Sequence, residues 1–365
     1  VTGTQADKEM GQTLMVSKWR RLLGSPEEDP DRAGPMIPMQ RARAIAPASC
    51  QTPAASPSPI LAGQVHTRFF QFVFDLPDCR GSEPGTAELA MLARLEVLST
   101  DFDIRNLPRP PTVLPQLMRM LKSDDAAGKQ WARLVGRDPL MVGEVMRVTR
   151  SAMYRSVQPV RSLRHAVILL GQDGLRRVLT EHVMKPVLLD NAGTRSQIAG
   201  ERLWQHSERC AHACTWLGRY AGCDAFETYL AGIVSHAGAG AMVRLLAPLI
   251  PGEQMSVSGK FLDACAQLAA KLTVQAAEYW QLPANVIEAL TTRQFDGPAR
   301  DASPLAKALA CADVLAMARL LTEHERLPTD LDLSRSWPEV YAPSLVDGCQ
   351  QDLRHQFDGS EEPAD

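Results

Sequence analysis

Through residues 198–321 no run of alternating apolar and polar residues reaches strand length, while apolar side chains keep recurring three and four positions apart. That spacing gathers them on one face of an α-helix and would scatter them over both faces of a strand. The habit starts after Thr86, a candidate N-cap, with Ala90, Leu92, Leu95 and Leu98. It predicts helices at 113–121, through Trp131 and Val135, and at 140–149, 165–170 and 175–184. In the second half it predicts them at 198–220, 225–235, 240–246, 259–279, 284–291 and 304–321. The punctuation agrees. Ser162 and Asp138-Pro139 read as helix starts, Gly171-Gln172-Asp173-Gly174 as a break, and Pro283 as a turn. Leu and Ala are frequent and aromatics are only 5% of the chain, so composition also favours helix over sheet. The expected fold class is all-α.

The flanks read differently. Residues 1–63 make a poorly structured extension: one short amphipathic stretch at 15–23, then charged and Pro-rich sequence, then an Ala/Ser/Pro-rich tether at 46–63. Residues 64–86 hold Phe69, Phe70, Phe72 and Phe74, a cluster expected to be a short strand or extended arm docked on the bundle. A partner-binding peptide is the alternative for it, since exposed clusters of this kind are rare. Residues 87–325 form the helical domain, and 326–365 a polar, Pro-interrupted tail expected to pack weakly or not at all.

At 365 residues the chain can bury one large core or two smaller ones. A net charge of -3 gives no overall basic signature, which makes nucleic acid an unlikely partner. No apolar run approaches the roughly 20 residues that span a bilayer, and the polar start lacks the apolar core of a signal peptide. The eight cysteines include no Cys-x-x-Cys pair, as expected of reduced thiols in the cytoplasm.

Several strings in order carry a resemblance. They are Leu107-Pro108-Arg109-Pro110-Pro111, Arg137-Asp138-Pro139-Leu140, Ser151-Ala152-Met153-Tyr154 and Ser162-Leu163-Arg164-His165-Ala166. Further on come Leu203-Trp204-Gln205-His206-Ser207, Ala231-Gly232-Ile233-Val234-Ser235-His236 and Trp280-Gln281-Leu282-Pro283. Over 107–321 the chain resembles the HDOD domain family, relatives of the HD-type metal-dependent phosphohydrolases found mainly in bacterial signalling proteins. The resemblance implies an all-α bundle in two parts and a family usually regarded as non-catalytic. It matches His206, His236 and Asp313 to ligand positions of the hydrolases, and puts Ala237 where the aspartate of the His-Asp pair would stand. Active relatives carry further histidines near the string Thr291-Thr292-Arg293-Gln294, which has none.

A hydrolytic divalent cation needs carboxylate charge beside imidazole nitrogen and an activated water. Without the aspartate, His206, His236 and Asp313 read as vestigial ligand positions, a buried polar remnant satisfied by internal hydrogen bonds. His206, Cys210 and Cys214 share a helix face, but span about 12 Å, too far for one zinc to collect. Arg147, Arg150, Arg155, Arg161, Arg164, Arg176 and Arg177 concentrate in the first half. They read as a solvated face or, for the first five, a surface that binds an anionic partner. No catalytic residue, bound metal or cofactor is expected. The expected role is a cytoplasmic scaffold that binds other signalling proteins, without membrane insertion. A metal-dependent phosphohydrolase and a nucleotide-sensing pseudoenzyme remain the rival readings.

Overall fold

The computed structural model describes residues 60–77, 81, 83–100, 135–136, 139–149, 160, 162–189, 194–246, 249, 257–293, 298–329 and 331–357. Among these every regular element is a helix. They run α1 Ile60–Val73, α2 Thr86–Thr100, α3 Pro139–Val148, α4 Leu163–Leu188, α5 Thr194–Tyr220 and α6 Ala225–Val234. Then follow α7 Ala237–Leu246, α8 Gly259–Tyr279, α9 Ala284–Thr292, α10 Pro304–Glu323 and α11 Pro343–Phe357. The helices expected at 113–121 and around Trp131 lie outside the described residues.

The chain divides into two compact units, one of residues 1–55 and 128–170, the other of 56–127 and 171–365. The division falls inside α4, at Gly171, whose φ of 65° and ψ of -178° break the helix. A side chain is strained at such a φ, so glycine is what lets the chain turn there. The break expected between two helices at 171–174 is found at Gly171, where α4 is two helical stretches joined across a kink. In the smaller unit α3 buries Met141 and Val145, and the first turns of α4 bury Leu163, Ala166, Val167 and Leu170.

The larger unit is built round α10. That helix is buried almost all round, from Leu305 and Ala306 to Leu320 and Leu321. Its start is set by Ser303, whose Oγ accepts from Ala306 N at 3.3 Å, with Pro304 in the first turn. Helix α5 packs on α10 and α6, α7 on α8, and α9 on α10, α8 and α6. Two glycines permit the closest approaches. A Cβ on Gly232 would lie 2.4 Å from Ala211 Cα, and one on Gly238 would lie 2.1 Å from the Ala269 carbonyl oxygen. Glu88 joins α2 to the start of α8, accepting from Ser258 N at 2.8 Å and Ser258 Oγ at 2.7 Å.

The structure corrects three expectations. The aromatic segment is a helix, not a strand or extended arm, and it starts at Ile60, inside the stretch read as a tether. Val65, Phe69, Phe70 and Val73 are all buried, because their spacing forms one apolar stripe facing α10, α8 and α5. The polar tail also packs: α11 lies on α5 and α10, burying Val346, Cys349 and Leu353 at three- and four-residue spacing. Lastly, residues 225–246 are long and apolar enough on mean hydropathy to cross a bilayer, but 89% of the apolar window is buried inside the protein. They are α6 and α7, core helices.

Candidate functional site

His206 lies on α5, His236 in the turn between α6 and α7, and Asp313 on α10. The fold brings them together, as the resemblance implied. His236 Nε2 is 2.9 Å and His206 Nε2 3.1 Å from the same carboxylate oxygen, Asp313 Oδ1. The imidazoles meet edge to face, with ring centroids 4.6 Å apart. All three residues are buried. His236 is placed by the end of α6, where Ser235 Oγ donates to Gly232 O at 2.8 Å. The next residue, Ala237, opens α7 and is buried without any group that could reach a metal.

Two additions to this cluster are not among the sequence-derived ligand positions. Arg293 follows α9, where the backbone turns extended (φ -60°, ψ 127°). Its Nη1 sits 3.4 Å from Asp313 Oδ2, and the guanidinium side chain is only 3% exposed. The carboxylate thus faces imidazoles on one oxygen and a cation on the other. The second addition comes from α1. Phe69 packs on His206 and His236, with centroids 4.7 and 5.5 Å away, and Phe70 lies 5.8 Å from His236. His66, one turn earlier, is buried and stacks on Phe70 at 4.9 Å. The string around Arg293 had been read only for its lack of histidine. Its one charged residue was the available signal. His66 offered none beyond helical spacing to Phe69 and Phe70.

The electrostatics follow from burial and this charge pair. Burial alone would raise the Asp313 carboxyl; Arg293 first, then His236 and hydrogen bonds from both histidines, hold it well below the usual carboxylate range. Burial lowers His236 to about 4 and His66 to about 3, against the pull of Asp313. Both are therefore neutral at neutral pH. Burial pushes the Cys210 thiol far above its ordinary range, with Asp313 adding to the effect.

Ligand atoms of His206, Cys210 and Asp313 lie within 4.8 Å of one another, near enough to share an ion. The rest of the environment does not fit a hydrolytic metal. The carboxylate is already engaged by two imidazoles and a guanidinium, the thiol is held protonated, and Ala237 supplies no second carboxylate. A divalent ion would also sit beside the buried cation of Arg293, at a Coulombic cost that low dielectric magnifies. Cys214 is buried too. Burial raises its thiol well above the ordinary value, as expected of a core thiol.

Of the five arginines read as a partner-binding surface, two lie among the described residues. Arg147 pairs with Glu144 along α3, Arg164 is exposed, and Arg150, Arg155 and Arg161 lie outside the described residues. Arg176 and Arg177 depart from the solvated-face expectation. Arg176 pairs with Asp173 at 3.5 Å and lies over Phe226, and Arg177 lies over Tyr229.

Comparison with known proteins accords with this architecture. No curated protein matches the chain significantly. Among solved structures it is similar to a putative metal-dependent phosphohydrolase from Shewanella amazonensis SB2B, at 17% identity and a TM-score of 0.54, covering 74% of this chain and 98% of that one. It is also similar to a putative signal transduction protein from Marinobacter aquaeolei VT8, at 17% identity and a TM-score of 0.55, covering 74% of this chain and 64% of that one. At these identities the likeness concerns the fold. The HDOD domain matches residues 107–294, more than half of the chain, and takes in His206, His236, Ala237 and Arg293. With that match and the shared helical fold, the chain belongs to the HDOD domain family.

Proposed function

We propose that the protein is a non-catalytic signalling or regulatory scaffold of the cytoplasm, which acts by binding other signalling proteins through its helical domain. One observation carries this reading: Arg293 places a guanidinium on Asp313 Oδ2, where a hydrolase would need the carboxylate for its metal. A buried internal cation satisfies the charge of the remnant, so the bundle keeps its polar centre without an ion. Phe69 packs beside both imidazoles, and both are buried, which keeps bulk water from them. What the fold still offers is a stable helical surface.

The test is direct. Full-length protein is assayed against nucleotides, cyclic dinucleotides and a generic phosphodiester with Mn²⁺, Mg²⁺ or Fe²⁺ added, and its metal content is measured after purification. No turnover and no stoichiometric metal are expected. Metal-dependent hydrolysis that disappears in His236→Ala would overturn the reading in favour of a phosphohydrolase.

A further inference from the structure

Away from the histidine cluster, the first turn of α10 and the segment 335–340 border a cavity of about 690 Å³. Among the described residues its lining carries three cations, Arg300, Lys307 and Arg335, against a single carboxylate, Glu339. Pro298, Pro338 and Val340 contribute apolar surface, and Trp337, itself buried, shows the cavity only an edge. Glu339 rests on Arg300, its Oε2 accepting from Nη2 at 2.6 Å and Nε at 3.1 Å. Those side chains are 68% and 80% exposed, so water screens the pair and it holds weakly. Asp332 lies near Arg335, but its Oδ1 is engaged by Ser334 N at 2.8 Å. The described lining therefore has an excess of positive charge beside an apolar wall, and its Glu339 carboxylate is easily displaced.

We propose that this cavity binds a phosphorylated small molecule of nucleotide size. The phosphates would replace the Glu339 carboxylate on Arg300 and reach Lys307 and Arg335, and the ring would lie against Pro298, Pro338 and the exposed edge of Trp337. Guanidinium groups match phosphate oxygens in paired hydrogen bonds, which suits Arg300 and Arg335. The volume falls in the roughly 300–1,000 Å³ range of small-molecule sites, and polar groups on an apolar lining are the usual composition of such sites. A strand of nucleic acid fits less well, because among the described residues the one aromatic side chain of the lining, Trp337, is buried, and successive bases need successive stacking platforms. None of the lining residues belongs to the histidine cluster. A ligand response therefore does not require that cluster to open.

Isothermal titration of the full chain tests the proposal, with ADP, GDP, inorganic pyrophosphate and adenosine as probes. A nucleoside diphosphate should bind, pyrophosphate about fivefold more weakly, and adenosine at least about tenfold more weakly. Lys307→Ala and Arg335→Ala should each weaken nucleotide binding by about tenfold while leaving the unfolding midpoint in place, since neither side chain is buried. Glu339→Gln should tighten binding, because it removes the competing carboxylate. The proposal fails if neither nucleotide binds at millimolar concentration. It also fails if pyrophosphate matches the nucleotides, if the lysine and arginine variants bind like the parent, or if Glu339→Gln weakens binding.

Discussion

Asp313 balances one negative charge against Arg293 while accepting hydrogen bonds from His206 and His236, all of it out of water. Removing one member of such a set costs more than the bonds lost, because the others stay buried without their partner. Asp313→Ala should therefore destabilise the fold by about 3–5 kcal/mol, the range for an orphaned buried charge. Denaturant unfolding measures it, and an unchanged midpoint would show that the cluster adds nothing to the fold. The same residues set a pH dependence. In the unfolded chain His66 and His236 take up protons near pH ~6.5. In the folded chain burial delays this to about 3 and about 4. As pH falls below ~6.5 the unfolded state binds more protons, so stability is full above that pH and declines towards about 4. Asp313, with its folded carboxyl held low, adds stability that is complete above pH ~4 and is lost only in stronger acid. The urea midpoint should drop between pH ~7 and ~5, less steeply in His66→Leu, which has no proton to gain. A flat profile over that interval would contradict the buried neutral histidines. At this scale His206, His236 and Asp313 were legible because motif strings mark their positions. Arg293 and His66 were not, since a lone residue brought in from another helix leaves no periodic trace.

Helices were legible wherever an apolar stripe met a cap. Residues 259–279 and 225–234 came out nearly to the residue, because Ser258 and Asp224 start those helices by accepting backbone N–H groups at their beginnings. The segments at the two ends of the described residues differ from the sequence expectation for a shared reason. Helix α1 has a Pro/Ser/Ala stretch before it, and α11 is mostly polar with a narrow buried stripe, so local composition concealed a face that only tertiary packing reveals. Close packing between elements was also invisible in advance. Gly238 looks like a weak point in α7, and helix propensity alone says that alanine there should gain about 1 kcal/mol. The structure reverses the sign. Its Cβ would press on the Ala269 carbonyl oxygen at 2.1 Å and on Thr273 N at 2.5 Å, backbone atoms that cannot swing aside. Gly238→Ala should lower stability by about 1–3 kcal/mol, the usual cost of overpacking. A stabilised variant in thermal or urea unfolding would mean that α7 and α8 are free to separate.

At the scale of the molecule, the family match and the folded body do not coincide. The HDOD domain match ends at residue 294, yet the polar centre is completed from outside it, by Asp313 on α10 and by His66 and Phe69 on α1. Helix α10 is also the element against which α5, α9, α1 and α11 pack, so a chain cut at 294 exposes apolar surface on several helices at once and leaves Arg293 with no carboxylate. Fully burying each large apolar side chain is worth about 1.5–3 kcal/mol. Whole domains are stable by only about 5–15 kcal/mol, so losing α10 exceeds what the remainder can absorb. A fragment of residues 107–294 should therefore be insoluble or lack a cooperative unfolding transition, whereas the full chain should unfold cooperatively. Limited proteolysis provides a second view, because a protease should leave a resistant species that retains both α1 and α11. A stable, cooperative 107–294 fragment, or a resistant core ending before residue 304, would show that the family domain folds alone and that Asp313 and Phe69 are additions to it.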